Sequence, residues 1–131
     1  MKQSPVIHFE MPYKDAERVS DFYSKVFGWN MNNLGAIMNN YILAGTTETE
    51  NMQSTKPGEI NGGFFPSSDE NNKYPLVTIQ VENMDEAMEA VRNSGGEVLG
   101  FPVDIPGIGK YVAIHDTEGN RASMLQPLRS F

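Results

Sequence analysis

PVIHFEMPYKDAERVSDFYSKVFGW, residues 5–29, and YPLVTIQVENMDEAMEAVRNSGGE, residues 74–97, read as two diverged copies of one unit, a strand followed by an amphipathic helix and then glycine. A shift of 68 places Ile7 on Pro75, His8 on Leu76, Phe9 on Val77, Glu10 on Thr78 and Met11 on Ile79, and carries Asp15 to Asn83, Val19 to Ala87 and Tyr23 to Val91. With one residue deleted, Gly28 meets Gly95. The copies agree in residue class and order rather than in identity. In the first, Val6 to Met11 alternates with the strand period, so Ile7, Phe9 and Met11 share one face and His8, Glu10 and Pro12 the other. The first set should pack on the helix. There Val19, Phe22, Tyr23, Val26 and Phe27 form an apolar stripe behind a cap at Asp15. In the second copy Leu76 to Val81 alternates, Asn83 and Glu86 make a capping-box pattern, and Met84, Ala87, Met88 and Val91 give the stripe that stops at Gly95-Gly96.

Working outward, Trp29 to Met31, Tyr41 to Ala44 and Ile60 to Phe65 read as strands after the first helix, and Glu97 to Leu99, Tyr111 to Ile114 and Arg121 to Leu125 as strands after the second. Thr46 to Glu59 is rich in Thr, Glu and Asn and reads as a long mobile loop. Pro66 to Lys73 reads as the linker between copies. The expected fold class is α+β with eight strands and two helices. It forms one domain over residues 1–131, with modules at about 5–66 and 74–127.

A chain of 131 residues with 39% apolar content can bury a core without external staples. It has no cysteine, which rules out disulfides, thiolate metal sites and a cysteine nucleophile, and fits a reducing compartment. The N-terminus lacks the apolar run of a signal peptide and no stretch is long enough to span a bilayer, so the expectation is a soluble, cytoplasmic protein with no membrane partner. A formal charge of −7, with only ten Lys and Arg scattered along the chain, argues against a nucleic-acid partner.

Phe22-Tyr23 before Phe27-Gly28-Trp29, Gly62-Gly63, Gly95-Gly96-Glu97-Val98, the run from Pro106 to Tyr111 and the run from Asp116 to Asn120, in that order, resemble the glyoxalase / bleomycin-resistance / extradiol-dioxygenase group, the vicinal oxygen chelate superfamily. The resemblance covers nearly the whole chain. It implies two βαβββ modules whose sheets curl around a cavity, commonly in a homodimer. It also implies cavity-facing strand positions that hold His, Glu or Gln as metal ligands in the metal-using members. Carried onto this chain those positions fall on His8, Leu76, Ser123 and a residue within Ile60 to Phe65, where Asn61 is the only polar side chain. Leucine supplies no ligand and serine a weak neutral one, so the expectation is no metal and no cofactor. The alternative is a divalent metal recruited by His8.

His8 is then a relic ligand, a general base, or a histidine that hydrogen-bonds inside the barrel. Glu10, on the same face, either shares the cavity with His8 and raises its pKa or sits at the rim in solvent. These two are the catalytic candidates. Thr78, Gln80 and Ser123 offer neutral hydrogen-bonding groups that suit ligand orientation, Trp29, Asn61 and Tyr111 are further candidate ligand contacts, and Tyr41, Phe64 and Phe65 also lie on strands where they can line the pocket, with plain core packing the competing role for the aromatic residues. Asp116 to Asn120 reads as a tight turn with Gly119 at positive φ, and His115 borders it. The function implied is a small-molecule cavity without a metal centre, in a binder or a metal-independent enzyme. The alternatives are a metal-dependent lyase, isomerase or dioxygenase using His8, and a ligand-sequestering resistance-type protein.

Overall fold

Each of the two helices lies against strands that belong to its own half of the chain, as the duplicated pattern requires. The structure is a computed structural model and describes residues 2–50, 53–67 and 72–128. In order the elements are β1 (Val6–Tyr13), α1 (Ala16–Phe27), β2 (Asn30–Asn33), β3 (Ile42–Gly45), β4 (Thr49–Glu50), β5 (Gln53–Ser54), β6 (Gly62–Pro66), β7 (Leu76–Gln80), α2 (Met84–Asn93), β8 (Glu97–Ile105), β9 (Gly109–His115) and β10 (Arg121–Pro127).

Contacts divide the chain into two units, His8–Pro75 and the residues up to Ile7 together with those from Leu76 onward. In the first, the strands run in the order β2-β3-β6-β1, with β1 and β6 parallel and the other neighbours antiparallel. In the second the order is β8-β9-β10-β7, with β7 and β10 parallel and the rest antiparallel. The two units therefore share one topology, in which the last strand of a βαβββ unit pairs in parallel with its first. The fold is α+β, and the duplication read from the sequence is one of structure.

Local chemistry sets the helix ends. The Asp15 side chain accepts from the Arg18 amide at 3.0 Å, and Asn83 from the Glu86 amide at 2.9 Å. The Gln126 side chain accepts from the Met84 amide at 2.7 Å, tying the start of α2 to the end of β10. At the β9 to β10 turn Asp116 accepts from the amides of Glu118 and Asn120 and from the Asn120 side chain. These bonds, that from the Asn120 side chain first, hold its carboxyl below the usual aspartate value.

The alternation of β1 turns Phe9 and Met11 toward α1 as read, whereas Val77 of β7, expected to face α2, is 42% exposed. In the first unit Phe9, Met11, Ala16, Val19, Tyr23, Trp29 and Met31 pack around the buried Ile42, Ala44 and Phe64. In the second, Val81, Met84, Met88, Val112, Ile114 and Met124 form the core between α2 and its strands.

Three expectations need correction. The α1 stripe is wider than the sheet it covers: Val19 and Tyr23 pack on the core, whereas Phe22, Val26 and Phe27 are 53%, 55% and 58% exposed. The segment 46–59, read as a long loop without strands, contains two short ones, β4 and β5, that pair antiparallel. Its composition could not supply a buried face, but side-chain to backbone hydrogen bonds organise it instead. Strand β8 runs on past Leu99 to Ile105, through an irregularity between Leu99 and Val103 that the short apolar run did not reveal. The linker read at Pro66 to Lys73 lies partly outside the described residues.

Gly62 pairs with Phe9 across β6 and β1, and a Cβ there would stand 2.3 Å from the Phe9 ring. Gly62→Ala should therefore overpack the core and cost about 1–3 kcal/mol, read as a lower urea midpoint at unchanged slope.

Candidate functional site

On the face of the first unit turned away from α1, Glu10 of β1 lies opposite Gly63 of β6, and Gly63 lies opposite Leu43 of β3. Tyr41, two residues before Leu43, lays its ring across Gly63: a Cβ on that glycine would meet the Tyr41 hydroxyl at 2.0 Å and its ring at 2.3 Å. The missing side chain is what allows the tyrosine to reach β1. There its hydroxyl donates to Glu10 Oε2 at 2.8 Å and stands 3.0 Å from His8 Nε2. A phenol has one proton. With that proton on Glu10, the Tyr41 oxygen accepts from His8, and the chain of bonds runs His8 Nε2–H to Tyr41 to Glu10.

At the two ends of this chain His8 is half-buried and Glu10 is buried. Glu10 is only 4% exposed, which corrects the reading that places it at a solvated rim. Burial pushes the His8 pKa down from 6.5 to about 4, because the imidazolium loses hydration. His8 is neutral near neutral pH. Its Nδ1 makes no hydrogen bond to another described residue.

In the second unit Ser123 of β10 pairs in register with Thr78 of β7 and donates its hydroxyl to Thr78 Oγ1 at 2.9 Å, with both residues buried. Gln80 lies two residues on along the same face of β7, and Tyr111 pairs with Leu125 on the face of β9 opposite Val112 and Ile114. Trp29 and Asn61 lie elsewhere. Trp29 stacks on Tyr23 with centroids 4.7 Å apart and joins the helix-facing core, so its aromatic surface is spent on packing. Asn61 Oδ1 accepts from the amides of Thr46 and Thr47 and its amide donates to Thr49, so it clasps the base of the β4–β5 excursion. The sequence reading takes Tyr41 only as a strand aromatic that lines the pocket or fills the core, and misses its link to His8 and Glu10. The signal for it is the pairing of an aromatic residue before one strand with a glycine in the next, and that needs the register to be known.

A sequence profile of the Glyoxalase/Bleomycin resistance protein/Dioxygenase superfamily matches residues 6–124. The chain belongs to this superfamily. A glyoxylase-like domain-containing protein from Didymella fabae is 32% identical over 120 residues, covering 85% of this chain and 84% of that one. Among solved structures, methylmalonyl-CoA epimerase from Mycobacterium tuberculosis superposes with a TM-score of 0.68 at 14% identity, over 98% of this chain and 93% of its own. Streptomyces coelicolor methylmalonyl-CoA epimerase in complex with 2-nitronate-propionyl-CoA gives 0.71 at 12% identity, over 98% and 100%. A hypothetical protein from Bacillus halodurans gives 0.67 at 15% identity, over 99% of both chains. Identities this low establish a shared fold.

The register also completes the comparison with the superfamily's ligand positions. Glu10 pairs with Gly63 in one unit as Thr78 pairs with Ser123 in the other, and Glu10 and Thr78 are related by the duplication. The position within Ile60 to Phe65 that corresponds to Ser123 is therefore Gly63, which has no side chain to offer. His8, Leu76, Gly63 and Ser123 present one imidazole and one hydroxyl, and Tyr41 already takes Nε2 of that imidazole. No group of three or more His, Cys, Asp or Glu among the described residues could hold a metal ion. This donor set does not fit the superfamily's metal site.

The lowered His8 pKa sets a pH dependence. The unfolded chain binds a proton at His8 below 6.5 and the folded chain only below about 4, so in that window the unfolded state carries more protons and stability falls as pH falls. The contribution is fully present above pH 6.5 and is lost by about pH 4. The urea midpoint should decline across that interval, and His8→Asn should flatten the decline. Equal slopes in the two proteins would refute the assignment.

Proposed function

We propose that this protein is a small-molecule-binding member of its superfamily that works without a metal ion, as a binder or a metal-independent enzyme, with His8 as the group that meets the ligand. The observation that carries this reading is the Tyr41 hydroxyl, which engages both His8 and Glu10, the two side chains on that face with the chemistry to ligate an ion. A metal at His8 Nε2 would have to displace the Tyr41 hydroxyl and give up that hydrogen bond. In a buried network that loss is costly. The buried Thr78–Ser123 pair, with apolar neighbours such as Leu76 and Leu125, supports a ligand surface of mixed apolar and neutral polar character. The absence of cysteine supports the cytoplasm as the compartment.

Purified protein should contain no stoichiometric metal by elemental analysis, and its melting temperature should not respond to Zn²⁺, Ni²⁺ or Mn²⁺. A real site loaded at about a hundredfold above its dissociation constant would add about 2.7 kcal/mol, and His8→Ala would remove that gain. Near-stoichiometric metal lost in His8→Ala would replace this reading with a metal-dependent lyase, isomerase or dioxygenase. Native mass spectrometry of the protein as purified would identify a retained ligand.

The partner proposed besides the ligand is a second copy of the chain. β8 ends the strand order of its unit and carries Phe101 and Val103, which are 87% and 55% exposed. An edge strand with apolar side chains in water invites pairing, and a symmetric partner would cover it. Sedimentation should give a dimer whose association weakens in Phe101→Lys. A monomer at concentrations on the order of tens of micromolar, where pairs of modest affinity separate, would count against it.

A further inference from the structure

Between the end of β1 and the start of α1 lies an open cleft of about 1010 Å³, and its described lining residues all belong to the first unit. Its size stands at the upper end for small-molecule clefts, which span about 300–1,000 Å³. Arg18 and Phe22 are four residues apart on α1 and so share one face of the helix, and Lys14 precedes Arg18 by the same step. Pro12 and Val19 add apolar wall. Phe22 is 53% exposed, yet its ring is held edge-on against Tyr23 with centroids 5.1 Å apart. The Ser67 amide donates to the Tyr13 carbonyl at 2.9 Å, and the Tyr13 hydroxyl donates to the Asn40 carbonyl at 2.7 Å, so the backbone behind the cleft is tied on two sides.

The chain carries a formal charge of −7, and its general field repels anions. Among the described lining residues the sign is reversed. Lys14, Arg18 and Lys73 face one carboxylate, Asp15, whose Oδ1 is taken by the Arg18 amide. The side chains of Lys14 and Arg18 are exposed and make no ion pair or hydrogen bond with another described residue. We propose that this cleft binds a small aromatic anion, a sulfonate, carboxylate or phosphate carried on a flat apolar ring. The anionic group sits at Lys14 and Arg18, and the ring lies against Phe22 and Val19. An inorganic anion would leave Phe22 in water, and a neutral ring would leave both cations unanswered.

The test titrates anilinonaphthalene sulfonate into the full chain at neutral pH and follows its fluorescence, with phenylnaphthylamine, the same rings without the sulfonate, as the neutral counterpart. Wild-type protein should bind the sulfonate saturably. Lys14→Glu combined with Arg18→Glu should weaken that binding at least about tenfold while leaving phenylnaphthylamine unaffected. Lys25→Glu combined with Arg92→Glu changes the net charge equally at positions outside the cleft, and should leave the sulfonate affinity unchanged. Phe22→Ser should weaken both dyes. An unchanged melting temperature in each variant separates binding by the folded protein from dye taken up by a loosened one. Should a charge reversal lower it, Lys14→Gln with Arg18→Gln gives the same comparison without new repulsion. Absence of saturable sulfonate binding to the wild type would overturn the proposal, as would equal losses from the cleft reversal and the control reversal.

Discussion

Two successive positions of β6 carry no side chain, and both faces of the first unit are built on those gaps. Gly62 opens toward α1 and receives the ring of Phe9; Gly63 opens the other way and receives the ring of Tyr41. Because strand side chains alternate, neighbouring glycines serve opposite faces, and one short stretch decides both how tightly the core closes and whether β3 can reach across to β1. Phe9 then meets Trp29, and Trp29 stacks on Tyr23 of α1, so the helix is seated through an aromatic sequence that begins at a glycine.

Much of the architecture was legible in the sequence because it is periodic. The strand period of β1 and β7, the helical period of α1 and α2, and the Asp15 and Asn83 caps act within a few residues of one another, and the duplication let each half check the other. What was not legible is what spans distance. Tyr41 contacts residues 31 and 33 positions away, and its role depends on a register that the alternation of β3 and β6 alone does not set. Trp29 and Asn61 are of types that suit ligand contact, but tertiary context turned one to the core and the other to a loop. The stripe of α1 gave the facing direction of the helix but not the width of sheet available to cover it.

The two units also show how one scaffold position diverges. Glu10 opposite Gly63 and Thr78 opposite Ser123 are the same place in the repeat. One copy has a carboxylate over a bare backbone, with the space filled by Tyr41 from just before β3; the other has two hydroxyls joined by a hydrogen bond. A carboxylate beside a second bulky polar group would have crowded the first unit, and a glycine opposite Thr78 would have left the second with a gap. Each pair is internally consistent, and exchanging a single member between units would break both.

The clasp at Asn61 separates the excursion between β3 and β6 from the ladder that bears the site. Thr46 and Thr47 are fixed to Asn61, and the Thr46 hydroxyl to the carbonyl of Ile60, so the two ends are pinned to each other before the sheet begins. Once a loop is closed at its neck, doubling its length adds only about 0.6 kcal/mol of closure entropy. The β4–β5 hairpin is therefore a region where this scaffold can lengthen, shorten or change sequence through evolution without disturbing the pairing of Gly63 with Glu10, and so a place where related chains can diverge in size while keeping the same interior.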